Sequence, residues 1–272
     1  MLKKEFFELY KKIGIPVNEA SAELDMIFDY LNINPLDEFK NGDFKQGDKQ
    51  KILNIVKERT LTKKPLQYIL GFGYFMGEKF FVDKNTLIPR PETEILVKEC
   101  LNLIFNEAKV LDIGTGSGCI AIEIAKNSKA KVDAVDISEE ALIIAKKNAN
   151  FHNVKCNFFK SDLFSNVTQK YDFIVSNPPY IPYKDINTIS DIVKNFEPHA
   201  ALFANDELGI NFYKKIIDES VTFLNKNGHI IFELGINQSG LISQLFKDKG
   251  FSDIKILKDL DNIERVVLAK YF

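Results

Sequence analysis

The sequence contains few of the residues that usually bind metals. Its 3 cysteines and 3 histidines are scattered over 272 residues, and none of them has CxxC or CxxH spacing. Cys100, Cys119 and Cys156 are therefore expected to be reduced, buried thiols rather than zinc ligands or disulfide partners. Since isolated histidines are more often structural than catalytic, the sequence predicts no metal site.

Long apolar runs and a large excess of one charge are also lacking. No apolar run is long enough to span a bilayer and no secretory apolar segment follows the first residues, so we expect a soluble, cytoplasmic protein. The formal net charge of −2 argues against a dedicated duplex-DNA binder, which usually needs a concentrated basic face. With 45% hydrophobic residues, the chain can form one large domain and a small one.

The hydrophobic pattern divides the chain into three parts. Residues 1–72 have helical periodicity and predict a small helical domain, in which Ser21 is a candidate N-cap of the second helix. Residues 73–88 are aromatic and rich in turn residues, which indicates a β-hairpin linker. In residues 89–272 strands and helices alternate, which predicts an α/β domain with a mostly parallel sheet and an antiparallel pair at its C-terminal end.

One strand of this sheet leads directly into a rigid polar turn. The apolar, β-branched run at residues 171–176 ends in Asn177-Pro178-Pro179-Tyr180. Tandem prolines cannot continue a strand, because they lack N–H donors and have a fixed φ. Asn177 and Tyr180 are therefore expected at the carboxyl end of a strand, where ligands bind in open α/β sheets. Two prolines alone would indicate only a turn, but the flanking Asn and Tyr favour a functional site.

A glycine-rich loop follows an earlier predicted strand. Three glycines alternate with other residues in Gly114-Thr115-Gly116-Ser117-Gly118. Without Cβ atoms they let the backbone turn sharply and approach a ligand closely. A dinucleotide fingerprint would have its third glycine one residue later, where the chain has Cys119, and a P-loop would need a Lys-Ser/Thr pair. The spacing suits a cofactor without a pyrophosphate, whose amino-acid tail lies against the loop.

Acidic residues follow or end the neighbouring strands. Asp136 ends the strand after the glycine loop, at the offset where an acidic residue accepts ribose hydroxyls in Rossmann-like sites. The alternative for Asp136 is an N-cap of the next helix. Asp162 is a candidate acceptor for an adenine amino group, with Leu163 as an apolar wall. Asp112 is expected to brace the glycine loop or the cofactor's amino group.

Together, the glycine loop, Asp136 and Asn177-Pro178-Pro179-Tyr180 resemble the class I S-adenosylmethionine-dependent methyltransferases. The last motif resembles that of enzymes that methylate a nitrogen attached to an sp² carbon. Residues 64–71 (KPLQYILG) and 87–94 (LIPRPETE) extend the likeness over essentially the whole chain. With them, the chain resembles the bacterial release-factor glutamine N5-methyltransferases.

This resemblance implies a fold, a substrate and a set of contacts. It implies a Rossmann-like sheet, S-adenosylmethionine as cofactor, and methylation of the glutamine in the Gly-Gly-Gln loop of class 1 peptide chain release factors, which the helical N-terminal domain would help to hold. The residues expected to contact the cofactor are Gly114, Thr115, Gly116, Ser117, Gly118, Asp136, Asp162, Leu163 and Asn177. Those expected to hold the glutamine are Asn177, Pro178, Pro179 and Tyr180, with Phe81 as a further wall of the pocket.

The expected catalytic residues are Asn177, Pro178 and Tyr180. An amide nitrogen is a weak nucleophile because its lone pair is delocalised, so the enzyme has to position it. Asn177 would accept one N–H through its side-chain oxygen, the carbonyl of Pro178 would accept the other, and Tyr180 would pack against the planar amide. Positioning and electrostatics would then provide most of the catalysis, without a strong general base before transfer.

Other functions fit the sequence less well. An adenine N6-methyltransferase acting on nucleic acid shares the Asn-Pro-Pro-Tyr motif, but it would usually add a target-recognition region and a basic cleft. A decayed module that only binds release factor or ribosome would be expected to lose the glycine loop, Asp136 or Asn177. A nicotinamide oxidoreductase is disfavoured by the glycine spacing.

Two features and the assembly state stay open at this point. Arg90 is either a surface charge or a residue that orients a loop over the ligand. Residues 181–205 form a connection of a length that is typical of a lid or binding loop. We expect a monomer that contacts neither nucleic acid nor a membrane directly.

Overall fold

Helices form the first part of the chain, as the apolar periodicity predicts. A computed structural model describes residues 2–36 and 44–272, and the chain divides into two units, residues 1–72 and 73–272. The described helices of the first unit are α1 (Leu2–Lys12), α2 (Val17–Leu31), α3 (Gln46–Thr62) and α4 (Leu66–Leu70). Residues 37–43 belong to the predicted helical domain and lie outside the described residues.

The first unit has its own apolar core and one buried ion pair. Phe6 and Tyr10 of α1 are buried with apolar side chains of α2 and α3. The guanidinium of Arg59 donates to the carboxylate of Glu23 at 3.0 Å, and both side chains are buried.

The prediction that Ser21 caps α2 is wrong. The helix begins at Val17, and the residue before it, Pro16, has a φ of −64°. A proline is tolerated at a helix start, because the first N–H groups of a helix have no intrahelical acceptor.

A β-hairpin precedes the large domain, as the aromatic and turn-rich segment predicts. Its strands are β1 (Phe72–Phe75) and β2 (Glu78–Phe81). The two turn residues, Met76 and Gly77, have φ values of 50° and 78°. Positive φ at both positions is typical of the two-residue turns that match the twist of paired strands.

The second unit is an α/β domain with a seven-stranded sheet, which confirms the predicted fold class. Its strands are β3 (Lys109–Ile113), β4 (Lys131–Asp136), β5 (Asn157–Lys160), β6 (Tyr171–Ser176), β9 (Leu224–Glu233), β10 (Phe251–Lys258) and β11 (Glu264–Tyr271). The order across the sheet is β10-β11-β9-β6-β3-β4-β5. The neighbours from β9 to β5 are parallel, whereas β11 is antiparallel to both β9 and β10.

Helices cover both faces of the sheet. They are α5 (Thr93–Leu103), α6 (Cys119–Lys126), α7 (Glu139–Phe151), α10 (Asn211–Phe223) and α11 (Ser239–Asp248). Alternate residues of a strand point to opposite faces. Val110 therefore packs with residues of α5, α6 and α7, while Leu111 packs with residues of α10 and α11.

The predicted long connection after β6 contains short regular segments. Between residues 181 and 204 lie β7 (Ile181–Pro182), a 3₁₀ turn (Tyr183–Asn187), α8 (Asp191–Phe196), α9 (His199–Leu202) and β8 (Phe203–Ala204). β7 and β8 pair in parallel, so the two ends of the segment lie side by side.

The helix after this connection begins at Asn211. Just before it, the side chain of Asp206 accepts hydrogen bonds from the backbone N–H groups of Ile210 and Asn211, at 3.0 and 3.1 Å. In residues 2–36 and 44–272, no helix is both long and apolar enough to cross a membrane.

Candidate active site

A cavity of about 610 Å³ opens at the carboxyl ends of the parallel strands. Ile113 of β3 lies opposite Val135 of β4 and Ser176 of β6, so the three strands end at the same level. The loops that follow them form one side of the cavity. Residues 84–93, residues 183–205 and the helix residues Phe212 and Ile216 contribute further lining side chains.

The glycine loop follows β3 and turns sharply at each glycine. Gly114, Gly116 and Gly118 have φ values of 72°, 55° and 82°, a region that favours glycine. A Cβ atom added to Gly114 or Gly116 would meet no atom within 4 Å, so the backbone here borders open space. A Cβ atom on Gly118 would lie 3.0 Å from the Cβ atom of Ala145.

The loop residues therefore divide between two roles. Gly114, Thr115, Gly116 and Ser117 line the cavity, where sequence analysis expected them to contact a ligand. Gly118 is not a lining residue, and its contact with a cofactor stays a prediction. It begins α6 and allows that helix to pack closely against α7.

The buried side chain of Asp112 stabilises the glycine loop. Asp112 accepts a hydrogen bond from the hydroxyl of Thr115 at 2.6 Å. Burial raises the pKa of Asp112 to about 7, although the hydrogen bond from Thr115 acts in the opposite direction. Of the two roles expected for Asp112, the contacts show the bracing of the loop.

Asp136 connects the glycine loop to the end of β4. Its two carboxylate oxygens accept from the backbone N–H groups of Gly116 and Ser138, both at 2.9 Å. The N-cap of α7 is Ser138, whose hydroxyl accepts from the N–H of Ala141 at 3.1 Å, so the alternative cap role of Asp136 is wrong. Asp136 lines the cavity, and burial raises its pKa. Each carboxylate oxygen has a further lone pair for a ligand hydroxyl.

The loop after β5 brings Asp162 and Leu163 to the same cavity. Leu163 has a φ of 47°, and its carbonyl accepts a hydrogen bond from the hydroxyl of Ser161 at 2.8 Å. The backbone N–H of Asp162 donates to the hydroxyl of Ser165 at 3.0 Å. These bonds hold the turn and leave the side chains of Asp162 and Leu163 available to a ligand.

Three of the four residues after β6 line the cavity: Asn177, Pro178 and Pro179. Tyr180 is not a lining residue, and the packing of its ring against a substrate amide stays a prediction. Its hydroxyl donates to the carboxylate of Glu233 at 3.2 Å, and burial raises its pKa well above the usual value. Its carbonyl accepts from the side-chain amide of Gln238 at 2.9 Å. These contacts with Glu233 and Gln238 stabilise the turn that contains Tyr180.

Two residues beside this turn were not predicted as site residues. The side-chain amide of Asn177 donates to the hydroxyl of Thr93 at 3.3 Å. Thr93 donates in turn to the carboxylate of Glu233, at 2.5 Å. Thr93 lines the cavity as the first residue of α5, and Glu233 is the last residue of β9. An acidic residue directly after an apolar strand is the signal that singled out Asp136, and it would have identified Glu233 too.

Arg90 forms an ion pair with a buried carboxylate, so it is more than a surface charge. Its guanidinium forms an ion pair with Glu197, whose second oxygen accepts from the N–H of Ile88 at 3.3 Å. Arg90 lines the cavity, and so do Tyr183 and His199 of residues 181–205. Residues 181–205 thus form part of its wall, and the Arg90–Glu197 pair attaches that wall to residues 88–90.

Phe81, expected as a further wall of the glutamine pocket, packs against a helix of the same domain. Its ring packs edge-to-face on Phe151, and the ammonium of Lys147 lies 3.6 Å from the ring centroid. Its backbone N–H donates to the side chain of Asn148 at 2.7 Å. Phe81 is therefore held against α7 and is not a lining residue of the cavity.

Comparison with known proteins gives the family. Residues 91–205 match the family model of the methyltransferase small domain. A release factor glutamine methyltransferase from Fusobacterium nucleatum subsp. nucleatum is 38% identical over 272 residues, which cover 97% of this chain and 76% of that protein. One from Francisella tularensis subsp. tularensis is 42% identical over 257 residues, which cover 91% and 89% of the two chains. The chain belongs to the release factor glutamine methyltransferase family.

A solved structure shows that the fold of this family member is shared more widely. A methyltransferase from Pyrococcus furiosus superposes with a TM-score of 0.57 at 19% identity, covering 81% of this chain and 98% of that one. The likeness confirms the Rossmann-like methyltransferase sheet. Among residues 2–36 and 44–272, no group of three or more His, Cys, Asp or Glu side chains could hold a metal ion.

Alanine substitutions at Gly116, in the middle of the glycine loop, and at Gly118, at its end, should affect this methyltransferase differently. Gly118→Ala should destabilise the fold, because its Cβ would lie 3.0 Å from Ala145 and 3.1 Å from Ile122. Gly116→Ala adds a methyl group where no atom lies within 4 Å, so it should mainly weaken S-adenosylmethionine binding. In both variants an alanine in the left-handed backbone conformation costs about 1–2 kcal/mol. Urea unfolding and calorimetric titration of both variants test this, and equal losses of stability would contradict it.

The pH dependence of stability should report Asp112. Its folded pKa of about 7 lies above that of an exposed aspartate, about 3.9. Between these values the unfolded chain binds fewer protons, so this residue makes the free energy of unfolding fall as pH rises from about 4 to 7. Asp112→Asn cannot ionise and should gain melting temperature relative to wild type over this range. A difference that stays constant from pH 4 to 8 would show that Asp112 does not titrate there.

Proposed function

We propose that this member of the family transfers a methyl group from S-adenosylmethionine to the side-chain N5 of the glutamine in the Gly-Gly-Gln loop of class 1 peptide chain release factors. The observation that carries the proposal is the position of Asn177 and Pro178. They line the same cavity as Gly116 and Asp136, so an amide and a nucleoside-bearing cofactor can lie in contact.

The residues of the cavity fit S-adenosylmethionine. The open space beside Gly114 and Gly116 allows close approach of an amino-acid tail, and Asp136 offers carboxylate lone pairs to ribose hydroxyls. Leu163 and Ile137 supply apolar surface for a base, and Asp162 supplies an acceptor for an amino group. When bound, the cofactor would provide a methyl group on a cationic sulfonium.

The protein's own contribution to the reaction is orientation. A glutamine amide has two N–H donors, and Asn177 Oδ1 and the Pro178 carbonyl are the acceptors that we assign to them. Two acceptors fix the plane of the amide, which directs its nitrogen lone pair toward the methyl group. The nitrogen becomes acidic once it is methylated, so its proton can be lost after transfer. No side chain has to act as a strong base beforehand.

The other expectations about partners are part of the proposal. The helical first unit would help to hold the release factor, and the protein would act as a cytoplasmic monomer without contacting nucleic acid. The net charge of −2 supports a protein substrate over a nucleic-acid substrate.

Methyl transfer to a purified release factor tests the function directly. Labelled S-adenosylmethionine should transfer its methyl group to the intact release factor and not to a variant whose Gly-Gly-Gln glutamine is replaced. Label in both proteins would place the modification at another residue. No label in either, from a protein that binds the cofactor, would contradict the proposal, and nucleic acids would then be tested as substrates.

Two substitutions separate the roles of the cavity residues. Asn177→Ala should reduce turnover by about 10²-fold or more, because an unheld amide loses the orientation on which the reaction depends. Asp136→Ala should instead weaken cofactor binding, measured by calorimetry, through loss of the ribose contact and of the Gly116 hydrogen bond. Wild-type turnover in the first variant, or unchanged affinity in the second, would refute the corresponding role.

A further inference from the structure

The side chain of Asn177 belongs to a chain of hydrogen bonds with a defined direction. Its Nδ2 donates to Thr93 Oγ1 at 3.3 Å, and Thr93 Oγ1 donates to Glu233 Oε2 at 2.5 Å. The hydroxyl of Tyr180 donates to Glu233 Oε1 at 3.2 Å. No hydrogen bond from the described residues reaches Asn177 Oδ1, and Asn177 lines the cavity.

The direction follows from what each group can donate. An ionised carboxylate only accepts, so Glu233 must receive the single hydroxyl proton of Thr93. Thr93 then has only lone pairs left and must accept from its other neighbour. Of the two ends of the Asn177 amide, only the NH₂ group can donate to it. The remaining end, Oδ1, is therefore left as an acceptor for a ligand.

We infer that Thr93 and Glu233 are positioning residues that fix the orientation of the Asn177 side-chain amide, so that its oxygen and not its NH₂ group faces the glutamine substrate. A reversed amide would present two donors to a substrate NH₂ group, and no hydrogen bond would form. The inference rests on the proposed role of Asn177 in holding the substrate.

The hydrogen bonds have this direction when Glu233 is ionised, and its surroundings determine the pH at which that happens. Glu233 is buried, and burial raises its pKa to about 7, while hydrogen bonds from Thr93 and Tyr180 act to lower it. Glu92 acts in the same direction as burial and Arg265 opposes it, and Tyr213 and Cys119 are the other titratable groups that interact with Glu233. Experiments at pH 8.5 keep Glu233 ionised.

A pair of matched variants tests the role of the Thr93 hydroxyl. Thr93→Val has nearly the same shape but can neither accept from Asn177 nor donate to Glu233, whereas Thr93→Ser keeps the hydroxyl. With a release factor as substrate at pH 8.5, Thr93→Val should lower kcat by about ten- to a hundredfold, the range expected for lost orientation. Its affinity for S-adenosylmethionine should remain within about twofold of wild type, since the Asp136 contact is intact.

The same pair gives the results that would overturn the inference. Thr93→Ser should retain most of the wild-type kcat, because the hydroxyl restores the chain. A kcat as low in the Ser variant as in the Val variant would show that the hydroxyl does not support the amide, and wild-type kcat in the Val variant would show that the shape of the side chain is sufficient; either result would overturn the inference.

A second measurement tests the orientation without relying on turnover. In wild-type protein labelled with ¹⁵N-asparagine, the side-chain NH₂ signals of Asn177, assigned by their absence in Asn177→Asp, should exchange slowly with water because one proton is bonded to Thr93. Fast exchange would overturn the inference even if Thr93→Val failed to fold. If wild type did not methylate a release factor at all, the proposed function would fail, while slow exchange would still support the fixed amide.

Discussion

The register of the parallel strands is the constraint on which the site depends. Ile113, Val135 and Ser176 lie level on three neighbouring strands, and the hydroxyl of Ser176 donates to the carbonyl of Ile113 at 2.7 Å. Because these strands end together, a glycine loop, a carboxylate and an amide that are distant in sequence converge on one cavity. A slip of one residue in β6 would turn its apolar side chains toward the wrong face, so the packing of both faces fixes where Asn177 lies.

Acidic side chains collect around this edge of the sheet, at a cost to the free protein. Burial raises the pKa of Asp112, Asp136 and Glu233. The charged form of each side chain is therefore less stable in the folded protein than it would be in water. Hydrogen bonds from Thr115, Gly116 and Thr93 offset part of that cost. Asp136 and Asp162 line the cavity, and carboxylates there would attract a ligand that carries a sulfonium and an ammonium group. The same groups that destabilise the protein alone therefore favour its cofactor.

The sequence predicted those parts of the site that depend on neighbours along the chain. Alternating strands and helices, the glycine loop and the turn at Asn177 follow from local patterns, and the structure places them as expected. Phe81 was placed by resemblance alone, but its position depends on Lys147 and Phe151 of a distant helix. The hydrogen bond between Thr93 and Glu233 joins residues 140 positions apart, and no local pattern encodes such a contact. The error at Ser21 is of another kind, since a residue type that is common at N-caps does not by itself determine where a helix begins.

The wall opposite the glycine loop is fixed at several points. β7 and β8 pair at the ends of residues 181–204, Glu197 binds Arg90 and the N–H of Ile88, and Gln238 donates to the carbonyls of Tyr180 and Leu208. This long connection, of a length typical of a lid or binding loop, is thus attached at its two ends and at Glu197. This suits a reaction whose substrate amide is a poor nucleophile, because orientation contributes most when the groups that provide it are in place before the substrate arrives. The contacts that attach this wall and the hydrogen bonds inferred to orient the Asn177 amide meet the same requirement.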